Sequence, residues 1–272
     1  MAASLRDRLS LNQYTTKHWS LDEAVQGCVR HGIRHIGLWR DKVAEAGIER
    51  ACALVRDAGL TASSLCRGGF FPAAGAAERK ARIDDTRRAI DEAARLGAPV
   101  LVLVCGPPVD RDLRAAREMI ADGIEALVPD AVACNVALGI EPLHPMMITQ
   151  RSAVCTLGEA NDLAERFPAG RVGVIVDVYH VWWDAALYAQ IARAGKRIAG
   201  FHVSDWIEPL VDPIASRGMP GDGAIDLPGI RHAVEAAGYQ GAIEVEVLNP
   251  AVWDRAGDDV LADITARSER YL

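Results

Sequence analysis

The sequence predicts a single (β/α)8 barrel, the α/β architecture in which eight parallel strands alternate with helices. Three observations carry that expectation. Apolar runs of strand length recur eight times along the chain, several of them nearly continuous, as in strands covered on both faces. Stretches with helical spacing lie between them and close on glycine, the order expected of βα units with right-handed crossovers. No GxGxxG follows the first run, which weighs against an open dinucleotide-binding sheet.

The first strand is read over 8–15, "RLSLNQYT". Ser20 then opens a helix as N-cap, with Glu23 three residues later in a capping-box pattern and Gly32 as the stop. A second strand, "HIGLWR" (35–40), leads into the helical stretch "GIERACALVRDAGL". The third, "TASSLC" (61–66), precedes the long helical stretch "ERKARIDDTRRAIDEAARLGA". The fourth and fifth are "PVLVLVC" (99–105) and "ALGIEPL" (137–143); the sixth and seventh are "VGVIVDV" (172–178) and "IAGFHVSD" (198–205). After the helical "DLPGIRHAVEAAGYQG" comes the eighth, "AIEVEVL" (242–248). With no linker, low-complexity segment or internal repeat, residues 1–272 are read as one domain.

Of the 272 residues, 50% are hydrophobic and 25% charged, an ordinary globular composition. The net charge of −7, with Lys and Arg scattered, argues against a nucleic-acid binder. The N-terminal "MAASLRDRLSLNQ" lacks an apolar core of signal-peptide length. No segment approaches the uninterrupted apolar length of a membrane span. The six cysteines (28, 52, 66, 105, 134 and 155) include no CxxC pair, so they read as free thiols and place the protein in a reducing cytoplasm.

In such a barrel the active-site groups project from the C-terminal ends of the strands. Glu141 ends the fifth strand, Asp177 ends the sixth, His202 lies on the seventh, and Glu244 and Glu246 lie on the eighth. A carboxylate within an apolar strand is costly to bury unless its charge is compensated. Carboxylates and an imidazole on four successive strands converge on one half of the barrel mouth. That donor set suits one hard to intermediate divalent ion: Mn²⁺ first, with Mg²⁺, Co²⁺ or Zn²⁺ also accommodated.

With those residues in place, the chain resembles the sugar phosphate isomerase/epimerase superfamily of xylose isomerase-like TIM barrels. Ketose 3-epimerases, hydroxypyruvate isomerase and inosose isomerases and dehydratases belong to it, as do AP-endonuclease type repair enzymes. The resemblance covers essentially the whole chain. It implies metal ligation by Glu141, Asp177, His202 and one glutamate of "EVEV". In the epimerases the last ligand follows the second glycine of "GYxG" by five residues, which here selects Glu246, with Glu244 as the alternative. Glu141 and Glu246 would then also exchange protons with the substrate. His180, three residues after Asp177, matches a residue that contacts substrate oxygens. An arginine expected six residues after His202 is Glu208 here, and Arg217 is the candidate replacement.

The resemblance implies proton abstraction beside a metal-chelated carbonyl, through an enediolate, giving isomerisation or epimerisation of a keto-sugar or keto-cyclitol. Departure of a β-hydroxyl or glycosidic oxygen from the same intermediate would make the enzyme a lyase or dehydratase. The AP-endonuclease alternative needs more histidines than the seven here and a DNA-binding face, and a non-catalytic sugar-binding barrel would not need Glu246. Further candidates for substrate contact are Trp39, Arg67 and His144; Phe70, Phe71, Trp182, Trp183, Trp206 and Trp253 also fall near the expected mouth. No glycine-rich loop with a nearby Lys or Arg forms a phosphate cradle, so an uncharged small-molecule carbohydrate is the expected substrate. Relatives often form dimers or tetramers, and a homo-oligomer of that kind is compatible with this chain.

Overall fold

The computed structural model describes residues 4–272, in which eight parallel strands close into a barrel. In chain order they begin with β1 (Leu9–Asn12), β2 (His35–Trp39), β3 (Thr61–Gly69) and β4 (Val100–Val104). They continue with β5 (Ala137–Glu141), β6 (Val172–Asp177) and β7 (Ile198–Val203). A short antiparallel hairpin, β8 (Asp205–Trp206) with β9 (Arg217–Gly218), intervenes before β10 (Ile243–Val245), which pairs with β1 and closes the barrel.

Every expected strand is present; five differ from the expected limits by one or two residues at an end, and the other three by more. β1 stops at Asn12, whose side chain accepts the Tyr14 backbone N–H and starts the 3-10 turn Gln13–Thr16. β3 runs on to Gly69, and the eighth barrel strand ends just before Glu246. Ser20 and Glu23 form the expected capping box of helix Leu21–His31, and Gly32 ends it at φ +67°. No helix among the described residues is long and apolar enough to cross a membrane.

The main core lies between the barrel and its helices, where Phe201 and Val203 of β7 are buried. His202, between them, faces the barrel interior, as the two-residue period of a strand requires. The interior has an apolar cluster and a polar one. Cys66, Val100, Val102 and Ile175 form the first. A Cβ at Gly139 or Gly200 would meet Ile175 Cδ1 at 2.6 or 2.8 Å, so these glycines make room for that side chain. In the second, Glu244 accepts hydrogen bonds from Asn12 Nδ2 (2.6 Å), Ser63 Oγ (2.7 Å) and Ser64 Oγ (2.9 Å). Register places Glu244 beside Ser10 on one side and His202 on the other, with Asp177 next to His202. The polar groups are thereby brought to neighbouring strands at the barrel mouth.

Candidate metal centre

Glu141 and Asp177 are the last residues of β5 and β6, His202 is the fifth residue of β7, and Glu246 directly follows β10. The Glu246 backbone N–H still donates to Val203 O at 2.9 Å, which keeps the glutamate in line with the sheet beyond the strand's end. One donor atom from each of the four lies within 4.8 Å of the others, and all four residues are buried.

His202 Nδ1 is 3.3 Å from Glu141 Oε1 and 3.6 Å from Glu246 Oε2, and Nε2 is 3.8 Å from Glu244 Oε2. Neither ring nitrogen has a hydrogen-bond partner among the described residues. Buried polar groups are nearly always paired, so an imidazole left open between carboxylates fits a site built for a cation. Burial pushes the Glu141 carboxyl up to about 7, against the opposing pull of His202. At Asp177 burial acts the same way, but Arg217, helped by His180 and His202, outweighs it and holds the pKa below the usual value. For His202 burial disfavours the charged ring, yet Glu244, with Glu141 and Glu246, raises its pKa well above the usual value. Three carboxylates and one imidazole can hold a divalent ion.

Arg217 reaches this centre from β9. Its Nη1 donates to Asp177 Oδ2 and Glu246 Oε2, both at 2.9 Å, and its Nη2 lies 3.0 Å from His180 Nε2. Asn249 Nδ2 donates to the Arg217 carbonyl and fixes the hairpin. Glu208, where the family pattern has arginine, instead accepts the Trp206 indole N–H. Burial pushes His180 down to about 3, so its ring is neutral at physiological pH.

A cavity of about 440 Å³ opens above these groups, lined by Glu141, Glu246, His180, Arg217, Trp39 and Arg67 among others. Trp39 stacks on Tyr14, with centroids 3.6 Å apart, and its indole N–H donates to Asn12 Oδ1. His144 is not among the lining residues. Its ring packs 5.0 Å from Trp206 and 5.6 Å from Trp183, and its backbone N–H reaches His180 Nδ1 at 3.3 Å. Phe71 is a core residue, and Trp182 and Trp206 pack on each other, whereas Trp253 lines the cavity. Sequence reasoning passed over Asn12, Tyr14, Lys17 and Arg151. Asn12 alone left a signal, as a polar residue at the C-terminal end of the first strand.

The family model described as xylose isomerase-like TIM barrel matches residues 25–264. Protein SMc04130 of Sinorhizobium meliloti 1021 is 48% identical, with TM-score 0.95 over 98% of this chain and 99% of that one. The IOLI protein, solved with a bound zinc atom, shares the fold at 19% identity and TM-score 0.86, over 97% of this chain and 99% of its own. Among curated proteins, a 3-dehydroshikimate dehydratase of Pseudomonas aeruginosa is 27% identical over 180 residues, 61% of this chain. The chain spans about a quarter (26%) of that relative's length.

Proposed function

The chain belongs to the xylose isomerase-like TIM barrel family, and from that premise we propose that it is a divalent-metal-dependent isomerase or epimerase of a keto-sugar or keto-cyclitol. The observation that carries this reading is the buried four-donor group with both His202 nitrogens unpaired. Glu141, Asp177, His202 and Glu246 would hold a divalent ion, which when bound would supply Lewis-acid polarisation of a substrate carbonyl. Mn²⁺ suits the oxygen-rich donor set, and the zinc in the IOLI protein supports a site able to accept more than one metal.

The two glutamates then have different parts. Glu246 accepts from Arg217 Nη1 at 2.9 Å and Asn12 Nδ2 at 3.3 Å, contacts that hold its carboxyl group in place at the cavity, where it would remove the proton beside the carbonyl. Glu141, which lines the cavity and forms no ion pair with an arginine among the described residues, would return it. Positioned acid–base groups of this kind contribute about 10²–10⁴-fold. His180, neutral and lining the cavity, would orient a substrate hydroxyl. Trp39 would form an apolar wall for the ring.

A dehydratase is the second reading, favoured by the curated relative. It shares the proton abstraction, after which the C–O bond to a β-hydroxyl breaks and the oxygen leaves with that electron pair, as water once protonated. The deciding experiment is metal analysis of wild type and Glu246→Gln, then incubation of both with Mn²⁺ and a panel of ketoses and inososes in D₂O. Stoichiometric metal and deuterium at a substrate carbon are expected only with Glu246 intact. A new conjugated chromophore in the product selects the dehydratase. Wild type that takes up no metal under Mn²⁺ loading sinks both readings.

A further inference from the structure

Half-buried cations in this protein are generally paired with carboxylates. Arg40 binds Asp85 and Glu92, Arg87 binds Asp84 and Asp130, Arg117 binds Glu159, and Arg231 binds Glu235. Two others satisfy themselves on neutral oxygens: Arg171 on Asn135 Oδ1, and Arg197 on the carbonyls of Ala164, Val172 and Phe167. Lys17, Arg67 and Arg151 are also half-buried, yet none has an ion pair among the described residues. All three line the cavity above the four-donor centre.

Their placement makes the omission informative. Arg67 lies on β3, stacked 4.4 Å over the Phe70 ring. Arg151 follows the turn after β5, where its carbonyl accepts the Gly106 N–H. Lys17 lies 4.1 Å over Trp253. The cavity's carboxylates are engaged elsewhere. Glu141 and Glu246 belong to the centre, and Asp212 accepts the backbone N–H groups of Ile214 and Ala215. Burial lowers the Arg151 pKa and Arg67 lowers it further, while Cys66 and Asp212 act in the opposite direction. Two guanidinium groups that repel each other thus stand in a partly desolvated wall without an ion pair among the described residues. An oxyanion accepting hydrogen bonds from both would relieve the repulsion.

We infer that Arg67 and Arg151 form a subsite for an oxyanion on the substrate, a carboxylate or a phosphate, with Lys17 adding to the positive field. The substrate is then an anionic polyhydroxy ketone, in place of the neutral carbohydrate expected from the absence of a glycine-rich phosphate loop. This rests on the enolising-centre reading for what happens to the ketone. The subsite itself is tested independently of the metal.

The test is calorimetric titration of metal-free and Mn²⁺-loaded protein with three unreactive probes: myo-inositol, its 1-phosphate, and quinate, a cyclic polyol carboxylate. At low salt at least one anionic probe should bind wild type roughly tenfold or more tighter than myo-inositol, with the gap narrowing as salt is added. The Arg67→Gln/Arg151→Gln variant should bind all three within about threefold, while the double Lys variant keeps part of the preference. Quinate ahead of inositol phosphate identifies a carboxylate; the reverse order identifies a phosphate. Equal affinities in wild type, no binding of either anion, or an undiminished preference in the double Gln variant overturns the subsite. Circular dichroism and metal stoichiometry on the same samples separate the two readings. Anion preference without metal uptake leaves the subsite and removes the enolising centre, whereas metal uptake without anion preference does the opposite.

Discussion

Glu244 and Glu246 stand two residues apart and serve the centre in different ways. Glu246 offers an oxygen to the four-donor group and is held by Arg217. Glu244 lies deeper, locked by Asn12, Ser63 and Ser64, with Oε2 3.8 Å from the His202 nitrogen that faces away from Glu141 and Glu246. An outer carboxylate that hydrogen-bonds a ligating imidazole fixes its orientation, and losing such a group usually costs about 10–100-fold in metal affinity. Glu244, 3.8 Å from Nε2, is the carboxylate placed to take that part when His202 binds a metal. Glu244→Gln is therefore expected to weaken Mn²⁺ or Zn²⁺ binding by about that factor in a chelator competition. An affinity equal to wild type would show that Glu244 only fills the barrel.

At the scale of elements, the position of Glu244 depends on a gap in β2. A Cβ on Gly37 would lie 1.9 Å from Glu244 Oε1, and three hydrogen bonds keep that carboxylate from swinging aside. Gly37→Ala should destabilise the fold by about 1–3 kcal/mol, the usual cost of overpacking. It should also lower metal affinity, because the displaced carboxylate disturbs His202. Urea unfolding alongside metal titration checks both, and an unchanged midpoint would mean that the strands shift to accommodate the methyl group. The β8–β9 hairpin is the other element that shapes the centre, since it returns the chain after β7 and delivers Arg217 to Asp177 and Glu246.

For the whole molecule, the centre concentrates carboxylates that an ion would neutralise, so metal and stability are linked. Metal at about a hundred times its Kd adds roughly 2.7 kcal/mol. That corresponds to a rise in Tm of roughly 5–10 °C for a chain of this size, and chelation should reverse it. Without metal, the folded Glu141 carboxyl titrates near 7, above its ordinary 4.5. Its contribution is therefore fully present below about 4.5 and is lost as pH rises through about 7, because ionisation is easier in the unfolded chain. Metal-free wild type should lose stability across that window relative to Glu141→Gln. Parallel stability curves for the two proteins would show that Glu141 does not titrate there.

The barrel was legible because its signals are local. Apolar runs of strand length, the Ser20–Glu23 capping box and glycines such as Gly32 each express a preference of a few neighbouring residues. Glu141, Asp177 and His202 stood out for a related reason: an ionisable side chain in an apolar strand is costly unless something compensates for it. Register and contacts over long chain separations decided the rest. They put Glu244 beneath His202 and Glu246 beside Asp177, brought Arg217 in from a hairpin with no apolar run to announce it, and left His144 behind the cavity wall. They also gathered Lys17, Arg67 and Arg151 around one cavity. Whether a charged side chain is paired depends on which distant strands close beside it, and only the closed barrel settles that.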